Sequence, residues 1–235
     1  LFCGMNDCNV ILVGNIDLQS LRPLLCRYVA SLPAKNSVNS QRTAALPAVR
    51  KVDETLIYRR RQDTPYASVS IFYDFELPYE PKSDVMLKTF KLILQMMYTD
   101  TIREESGGAY HVSVNTELDG LKMPNALLKI AFRTDPQRYE ELIPLVYEQL
   151  LRLAEHGPSQ ELLQKSKEFL LKAHRQQAQS NHYWLHILYN MVYRGADFDT
   201  DYEKITEAVS AHDVQQLCAE IIAQKRRIEV TMLPL

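Results

Sequence analysis

The sequence predicts an α+β fold, a two-layer domain in which a mostly antiparallel sheet is packed by helices on one face. Two segments, Tyr66–Leu77 and Tyr110–Leu118, alternate apolar and polar side chains with the period of a half-buried strand. Between them, apolar residues recur every three or four positions over residues 85–102, as on the core-facing side of a helix. The strands cluster in hairpins, which disfavours a doubly wound parallel sheet.

The other predicted strands follow from short apolar runs. Val10–Val13 is such a run, and Asp17 is suited to cap a helix directly after it. Val49–Arg61 and Leu127–Arg133 add two strands, and Ile228–Pro234 closes the chain with the last.

The predicted helices of the second half follow from apolar periodicity and capping residues. They run from Asp135 to about His156, from Ser159 onward, from Tyr183 to Tyr193 and from Asp213 to Ala223. Gly157 is the expected stop of the first, because glycine accepts the positive φ at a helix C-terminus.

We interpret residues 1–235 as a single domain. A chain of 235 residues with 46% apolar content can bury a large core, and no internal break demands two domains. Residues 33–47 lack an apolar period and predict a flexible connector. Because the chain begins at Leu1 and not at Met, we expect a processed product or an excised piece of a longer protein.

Composition excludes several classes of function. The net charge of −2 gives no overall attraction to nucleic acid, and no apolar run approaches the length of a membrane span. Four cysteines are too few for a disulfide framework in a chain of this size. Cys26 and Cys218 fall on apolar helix faces and are predicted to be buried, whereas Cys3 and Cys8 could pair in an oxidising compartment.

One stretch, Thr101–Val114, is the chain's candidate for chemistry. Here the long central helix meets Gly107 and Gly108, and a strand begins. Arg103 therefore belongs to the last helical turn, and Tyr110 follows just past the break. Both side chains lie near one end of the elements that carry them, where a guanidinium and a phenol could converge on a group outside this domain.

This stretch resembles the Arg/Tyr segment of the pitrilysin or insulinase-type (M16) zinc metallopeptidases, which reads roughly Arg-Glu-x-x-Gly-x-x-Tyr. Arg103, Glu104, Gly107 and Tyr110 stand in those places. The first and last predicted strands are also similar to the opening and closing strands of that family's domain. An arginine and a tyrosine seven residues apart would otherwise favour a purely structural role.

The resemblance implies an M16 metallopeptidase-like domain, the last of four related domains in a longer enzyme. Arg103 and Tyr110 would then donate hydrogen bonds to substrate backbone and stabilise the oxyanion beside a zinc ion held by another domain. The implied partners are the N-terminal zinc-bearing domains of the same parent chain and a peptide or protein substrate. No cofactor is expected in this chain, which should be inactive alone, and a bacterial periplasm or cell envelope is the favoured compartment.

A second interpretation stays open, in which the chain is a non-catalytic interaction or scaffold domain of the same fold. Related domains of the family have lost proteolysis and serve as structural or substrate-presenting subunits. A zinc motif upstream of Leu1 would favour the enzyme.

No other motif in the chain predicts chemistry. His182 and His186 have the i, i+4 spacing of zinc ligands, but no glutamate stands between them and no third ligand follows at a known spacing. We interpret that segment as a packed aromatic helix and expect no metal site. No nucleophile elbow and no phosphate-binding glycine loop occurs.

Overall fold

Our computed structural model describes residues 8–33, 52–62, 65–106, 112–119 and 125–235, and for residues 102–106 it describes the backbone alone. Within these ranges, five strands form one sheet. The strands are β1 (Asp53–Arg60), β2 (Ala67–Glu76), β3 (Val112–Asp119), β4 (Asn125–Thr134) and β5 (Arg227–Pro234). Their order across the sheet is β1-β5-β2-β4-β3. All neighbours are antiparallel except β1 and β5, which are parallel. The predicted α+β class with a mostly antiparallel sheet is confirmed.

Seven helices accompany the sheet within the same described ranges. They are α1 (Leu18–Tyr28), α2 (Pro81–Ser106), α3 (Tyr139–His156), α4 (Gln160–Gln177), α5 (Asn181–Arg194), α6 (Tyr202–Ala208) and α7 (Ala211–Ala223). Asp17 caps α1 as predicted, since its carboxylate accepts from the N–H groups of Gln19 and Ser20. Gly157 ends α3 at φ 71°, also as predicted.

The inner face of the sheet is buried under α2, α3 and α7. Alternate residues of β2 are buried, and these include Val69, Ile71 and Phe75. They share one hydrophobic core with residues of the three helices, such as Phe90 of α2 and Leu150 of α3. The alternation in the sequence therefore predicts correctly which face of β2 packs against the helices.

The chain separates into two compact units by its internal contacts. The first comprises Leu1–Ala48 and Arg175–Asp197, and the second comprises Val49–His174 and Phe198–Leu235. The second unit carries the sheet and its hydrophobic core. In the first unit α1 has no buried residue, and several apolar side chains of α5 are exposed. The interpretation of residues 1–235 as one domain stays a prediction.

Two local predictions differ from the structure, and one helix was not predicted. Val10–Val13 forms no strand, and none of the described strands pairs with it; Val10 and Leu12 are 53% and 46% exposed. Helix α3 starts at Tyr139 instead of near Asp135, whose carboxylate and carbonyl first form a turn with the next residues. The short helix α6 was not predicted. The proposed connector lies, from residue 34 onward, outside the described residues.

The two helical cysteines prove to have different environments. Cys218 of α7 is fully buried and its thiol donates to the carbonyl of Leu150 at 3.3 Å, as predicted for a small buried hydrophobe. Cys26 of α1 is exposed, so the prediction that it is buried was wrong. Cys3 lies outside the described residues, and its pairing with Cys8 stays a prediction.

A polar network fixes the parallel edge of the sheet. Glu229 of β5 is only 6% exposed, and its carboxylate accepts a hydrogen bond from the phenol of Tyr147 at 2.5 Å. Arg227 donates to that phenol at 2.6 Å and to Glu229 at 3.2 Å. Its remaining donors reach Asp53 at 2.8 Å and Thr55 at 3.3 Å, both on β1. Burial and the bond to Glu229 raise the pKa of Tyr147, which keeps the phenol protonated as a donor.

Replacing Arg227 by Met should lower the free energy of unfolding by about 3 kcal/mol, because it leaves the buried carboxylate of Glu229 without its cation. The double variant Arg227→Met/Glu229→Met should lose less of the free energy of unfolding, since it buries no uncompensated charge. Chemical denaturation measures both. Lys165→Met is the control, because its ion pair with Glu161 is exposed to solvent and contributes little to stability. A double variant less stable than the single one would contradict this account.

The thiols of Cys26 and Cys218 should react with iodoacetamide at very different rates in the folded chain. Burial raises the pKa of Cys218 to about 12, which lowers its thiolate fraction at neutral pH by about 10³-fold from that of an ordinary cysteine. Peptide mapping by mass spectrometry measures each rate, and denaturation in urea should equalise them. Equal rates in the folded chain would show that Cys218 is accessible.

Candidate functional site

The predicted site lies where α2 ends and β3 begins. Helix α2 ends at Ser106, as the two glycines after it predict, and Arg103 belongs to its last turn. The side chain of Arg103 lies outside what the structure describes, and so do Gly107, Gly108 and Tyr110. The roles of Arg103 and Tyr110 therefore stay predictions, while the elements that carry them are described on both sides.

Apolar contacts fix α2 against the sheet over most of its length. The buried side chains of its inner face recur at helical spacing; they are Val85, Leu87, Phe90, Ile93, Leu94 and Tyr98. The last of these is fully buried, and its phenol donates to the carbonyl of Val146 in α3 at 3.2 Å. Burial raises the pKa of Tyr98 well above its usual value, so the phenol remains a donor. The helix that carries Arg103 is thus anchored to the sheet and to α3.

One side chain of α2 also binds the first residues of β3. The amide nitrogen of Gln95 donates to the carbonyl of Val112 at 2.6 Å, and its amide oxygen accepts from the N–H of Val114 at 2.9 Å. The side chains of Val112 and Val114 are buried in the core. Strand β3 is therefore fixed at its start by apolar packing and by two hydrogen bonds. Sequence reasoning missed Gln95; its only signal was a polar residue next to the apolar stripe of α2.

A polar hollow of about 460 Å³ lies beside β3 on the sheet. It is lined by Ser68, Ser70, Ser113, Lys129, Ala131, Phe132 and Arg133. Lys129 stands 5.5 Å from the ring centre of Phe72, and Arg133 stands 4.7 Å from that of Tyr66, so aromatic rings help to place both cations. These hydroxyl and cationic donors can bind carbonyl or carboxylate oxygens. The sequence placed the serines on the polar side of β2 but did not predict the hollow.

The described histidines do not form a zinc site. His182 and His186 lie on α5, where the Nε2 atom of His186 is 3.0 Å from the side-chain nitrogen of Asn190. Within the described ranges, no group of three or more His, Cys, Asp or Glu residues is arranged to hold a metal ion. These residues do not fit zinc, and the expectation that this chain binds none stays a prediction.

Comparison with known proteins connects the chain to one peptidase family. Residues 4–170 match the family model described as the peptidase M16 inactive domain. The chain is 29% identical over 170 residues to the probable zinc protease PqqL of Escherichia coli strain K12, and 25% identical over 191 residues to an Arabidopsis thaliana protein named zinc protease PQQL-like. The crystal structure of the periplasmic protease PqqL from Escherichia coli superposes on 94% of this chain, with a TM-score of 0.73 and 21% identity.

The chain is much shorter than these relatives. Its match covers 72% of this chain and 18% of the Escherichia coli relative, and 75% of this chain and 20% of the Arabidopsis relative. The superposed crystal structure is covered to 25%.

None of the helices in the described ranges is both long enough and apolar enough to cross a membrane.

Titration of this chain with zinc should give no stoichiometric binding, because the sequence lacks a His-Glu-x-x-His motif and its inverse. Isothermal titration calorimetry measures the affinity. A single site with a Kd of about 1 μM or tighter would refute the expectation. The double variant His182→Ala/His186→Ala would then show whether the helical histidine pair is responsible.

Proposed function

Because this chain belongs to the peptidase M16 family, we propose that it is a substrate-positioning domain of a zinc-dependent endopeptidase. Arg103 and Tyr110 act on the substrate, and the zinc ion is held by N-terminal domains of the same parent chain. The observation that carries the proposal is the sequence Arg103-Glu104-x-x-Gly107-x-x-Tyr110 at the junction of α2 and β3. Alone, the chain hydrolyses no peptide.

The chemistry of the two residues suits the stabilisation of negative charge. A guanidinium is always protonated and presents five donors in a planar fork, and a phenol presents one donor. Directed at a scissile carbonyl, such donors bind its oxygen more tightly as negative charge develops in the transition state. Arg103 is also at the C-terminal end of a helix, where the helix dipole favours a cation.

The surroundings of the junction support a peptide as the ligand. The hollow beside β3 offers serine hydroxyls and the cations of Lys129 and Arg133 next to the strand that follows Tyr110. An extended peptide presents a carbonyl oxygen at every residue, so it can use donors that are spread along several strands. In the proposed complex, the scissile bond lies near Arg103 and Tyr110, and flanking substrate residues bind along the sheet.

The chain spans only about a fifth of the length of its two zinc-protease relatives, so we propose the activity of the complete protein from theirs. Both of those relatives are named zinc proteases, and one is described as periplasmic. We extend both properties to the parent of this chain as part of the proposed function. The peptide or protein substrate is the second partner.

A scaffold role is the second candidate, and the match to an inactive-domain family favours it. The matched family model is described as the inactive domain of M16 peptidases, which fits a domain that supports proteolysis without performing it. The two candidates differ in one requirement. A scaffold has no need of donors at Arg103 and Tyr110, whereas the positioning domain depends on them.

Arg103→Ala and Tyr110→Phe, each made in the complete protein, should lower kcat by about 10²-fold, which corresponds to about 3 kcal/mol of transition-state stabilisation. The melting temperature should change little, since Arg103 belongs to the last turn of α2 and Tyr110 precedes the first residue of β3 in the sequence. If Arg103 also binds the ground-state substrate, its variant should raise KM. A quenched fluorogenic peptide that the complete protein cleaves reports kcat and KM.

The matched controls are Arg152→Ala on α3 and Tyr189→Phe on α5, which remove the same groups from exposed positions on other helices. Both should keep full activity. Undiminished kcat in Tyr110→Phe and Arg103→Ala, or activity lost in step with the melting temperature, would favour the scaffold.

A further inference from the structure

We propose that Gln95 is a positioning residue for the segment between Arg103 and Tyr110, because its side chain joins the helix before that segment to the strand after it. The inference rests on the function proposed above. Gln95 lies on α2, eight residues before Arg103, which is about 12 Å along a helix. Its hydrogen-bond partners, Val112 and Val114, begin two residues after Tyr110.

The amide of Gln95 takes the place of a residue in a neighbouring strand. In a parallel pair, one residue donates to the carbonyl of its partner strand at position i and accepts from the N–H at position i+2. The amide does the same with Val112 and Val114, at 2.6 and 2.9 Å. Strand β3 is at the edge of the sheet, with β4 as its only neighbour among the described strands. The glutamine therefore satisfies outward-facing backbone groups that none of the described strands reaches.

The side chain of Gln95 meets three requirements of this position. The side chain needs a donor for Val112, an acceptor for Val114 and enough length to span from α2 to β3. An ionised glutamate keeps the acceptor but loses the donor, and an alanine loses both. Asparagine has both groups on a shorter side chain.

The effect of removing Gln95 should be local. The buried side chains of Val112 and Val114 continue to hold β3 in the core, so the sheet persists. The two backbone groups lose their partner, and the strand end loosens, as ends of elements do when few hydrogen bonds hold them. Donors that must meet a transition state tolerate little displacement, since a shift of about 1 Å can cost about 10²-fold in rate.

Hydrogen exchange in this chain tests the structural step. In Gln95→Ala, the amide of Val114 should exchange at least about tenfold faster than in the unmodified chain, because its acceptor is gone. The matched control is Gln215→Ala, which removes another half-buried glutamine amide that donates to a backbone carbonyl, that of Glu155, at 2.7 Å. The control should leave Val114 unchanged. An equally protected Val114 in Gln95→Ala would overturn the proposal.

The Gln95→Glu variant provides a rescue that depends on pH. At about pH 8 the new carboxylate is ionised and cannot donate to Val112; on protonation near pH 5 or below, it regains a donor while keeping an acceptor. Its deficit in melting temperature relative to the unmodified chain should therefore shrink as the pH falls. The deficit of Gln95→Ala should not change, and parallel behaviour of the two variants would contradict the proposed bonding.

A double-mutant cycle in the complete protein tests the positioning role. Gln95→Ala should lower kcat by about tenfold with little change in KM, and it should cost much less when Tyr110→Phe is already present, because the donor it positions is then absent. The inference is overturned if the losses in kcat of the two single variants are fully additive. It is also overturned if Gln95→Ala leaves kcat unchanged while Tyr110→Phe reduces it. Either result leaves the proposed function intact. Unchanged kcat in Tyr110→Phe and Arg103→Ala would refute the proposed function itself, and the positioning role with it.

Discussion

The contact between α2 and the inner face of the sheet is the constraint on which the site depends. Residues such as Ile71 of β2 and Ile130 of β4 present one continuous apolar face, and burial of that face stabilises the fold only if a helix covers it. Phe90 and Leu94 of α2 provide the cover. The helix is anchored in this way from Val85 to Tyr98, and Arg103 follows five residues further along it. Packing that stabilises the fold thus also places the helix that carries Arg103.

Apolar burial does not specify the direction or register of the strands at the edges of the sheet. Polar contacts define them there. At one edge, Arg227 links β5 to Asp53 of β1 and to the buried Glu229. At the other edge, Gln95 links α2 to Val112 at the start of β3. The guanidinium of Arg227 and the amide of Gln95 both need partners in a fixed geometry. A strand shifted in register would leave their hydrogen bonds unmade. The two edges therefore share one principle, in which hydrogen bonds define positions that packing alone leaves open.

Sequence reasoning located the elements with strong periodicity and failed where contacts between distant residues decide. The alternation of β2 and the stripe of α2 determined their bounds closely, because each pattern is imposed by burial of one face. Val10–Val13 has the composition of a strand, but a strand also needs a partner, and the described sheet supplies none. Cys26 lies on an apolar helix face that is exposed. Periodicity shows which face is apolar and does not show whether anything covers it.

The same limit applies to the candidate site. Glycines and a family resemblance pointed to Arg103 and Tyr110, whereas Gln95 was missed because its partners lie 17 and 19 residues further along the chain. Yet Gln95 distinguishes the two proposed roles of the domain. In a scaffold, the apolar side chains of the edge strand already hold it in place. Further hydrogen bonds would add little stability there, since each contributes only about 1 kcal/mol net. A domain that must present two donors to a transition state gains much, because rate depends steeply on their position. The hydrogen bonds of Gln95 across the junction of α2 and β3 would therefore matter more to the proposed positioning role than to a scaffold.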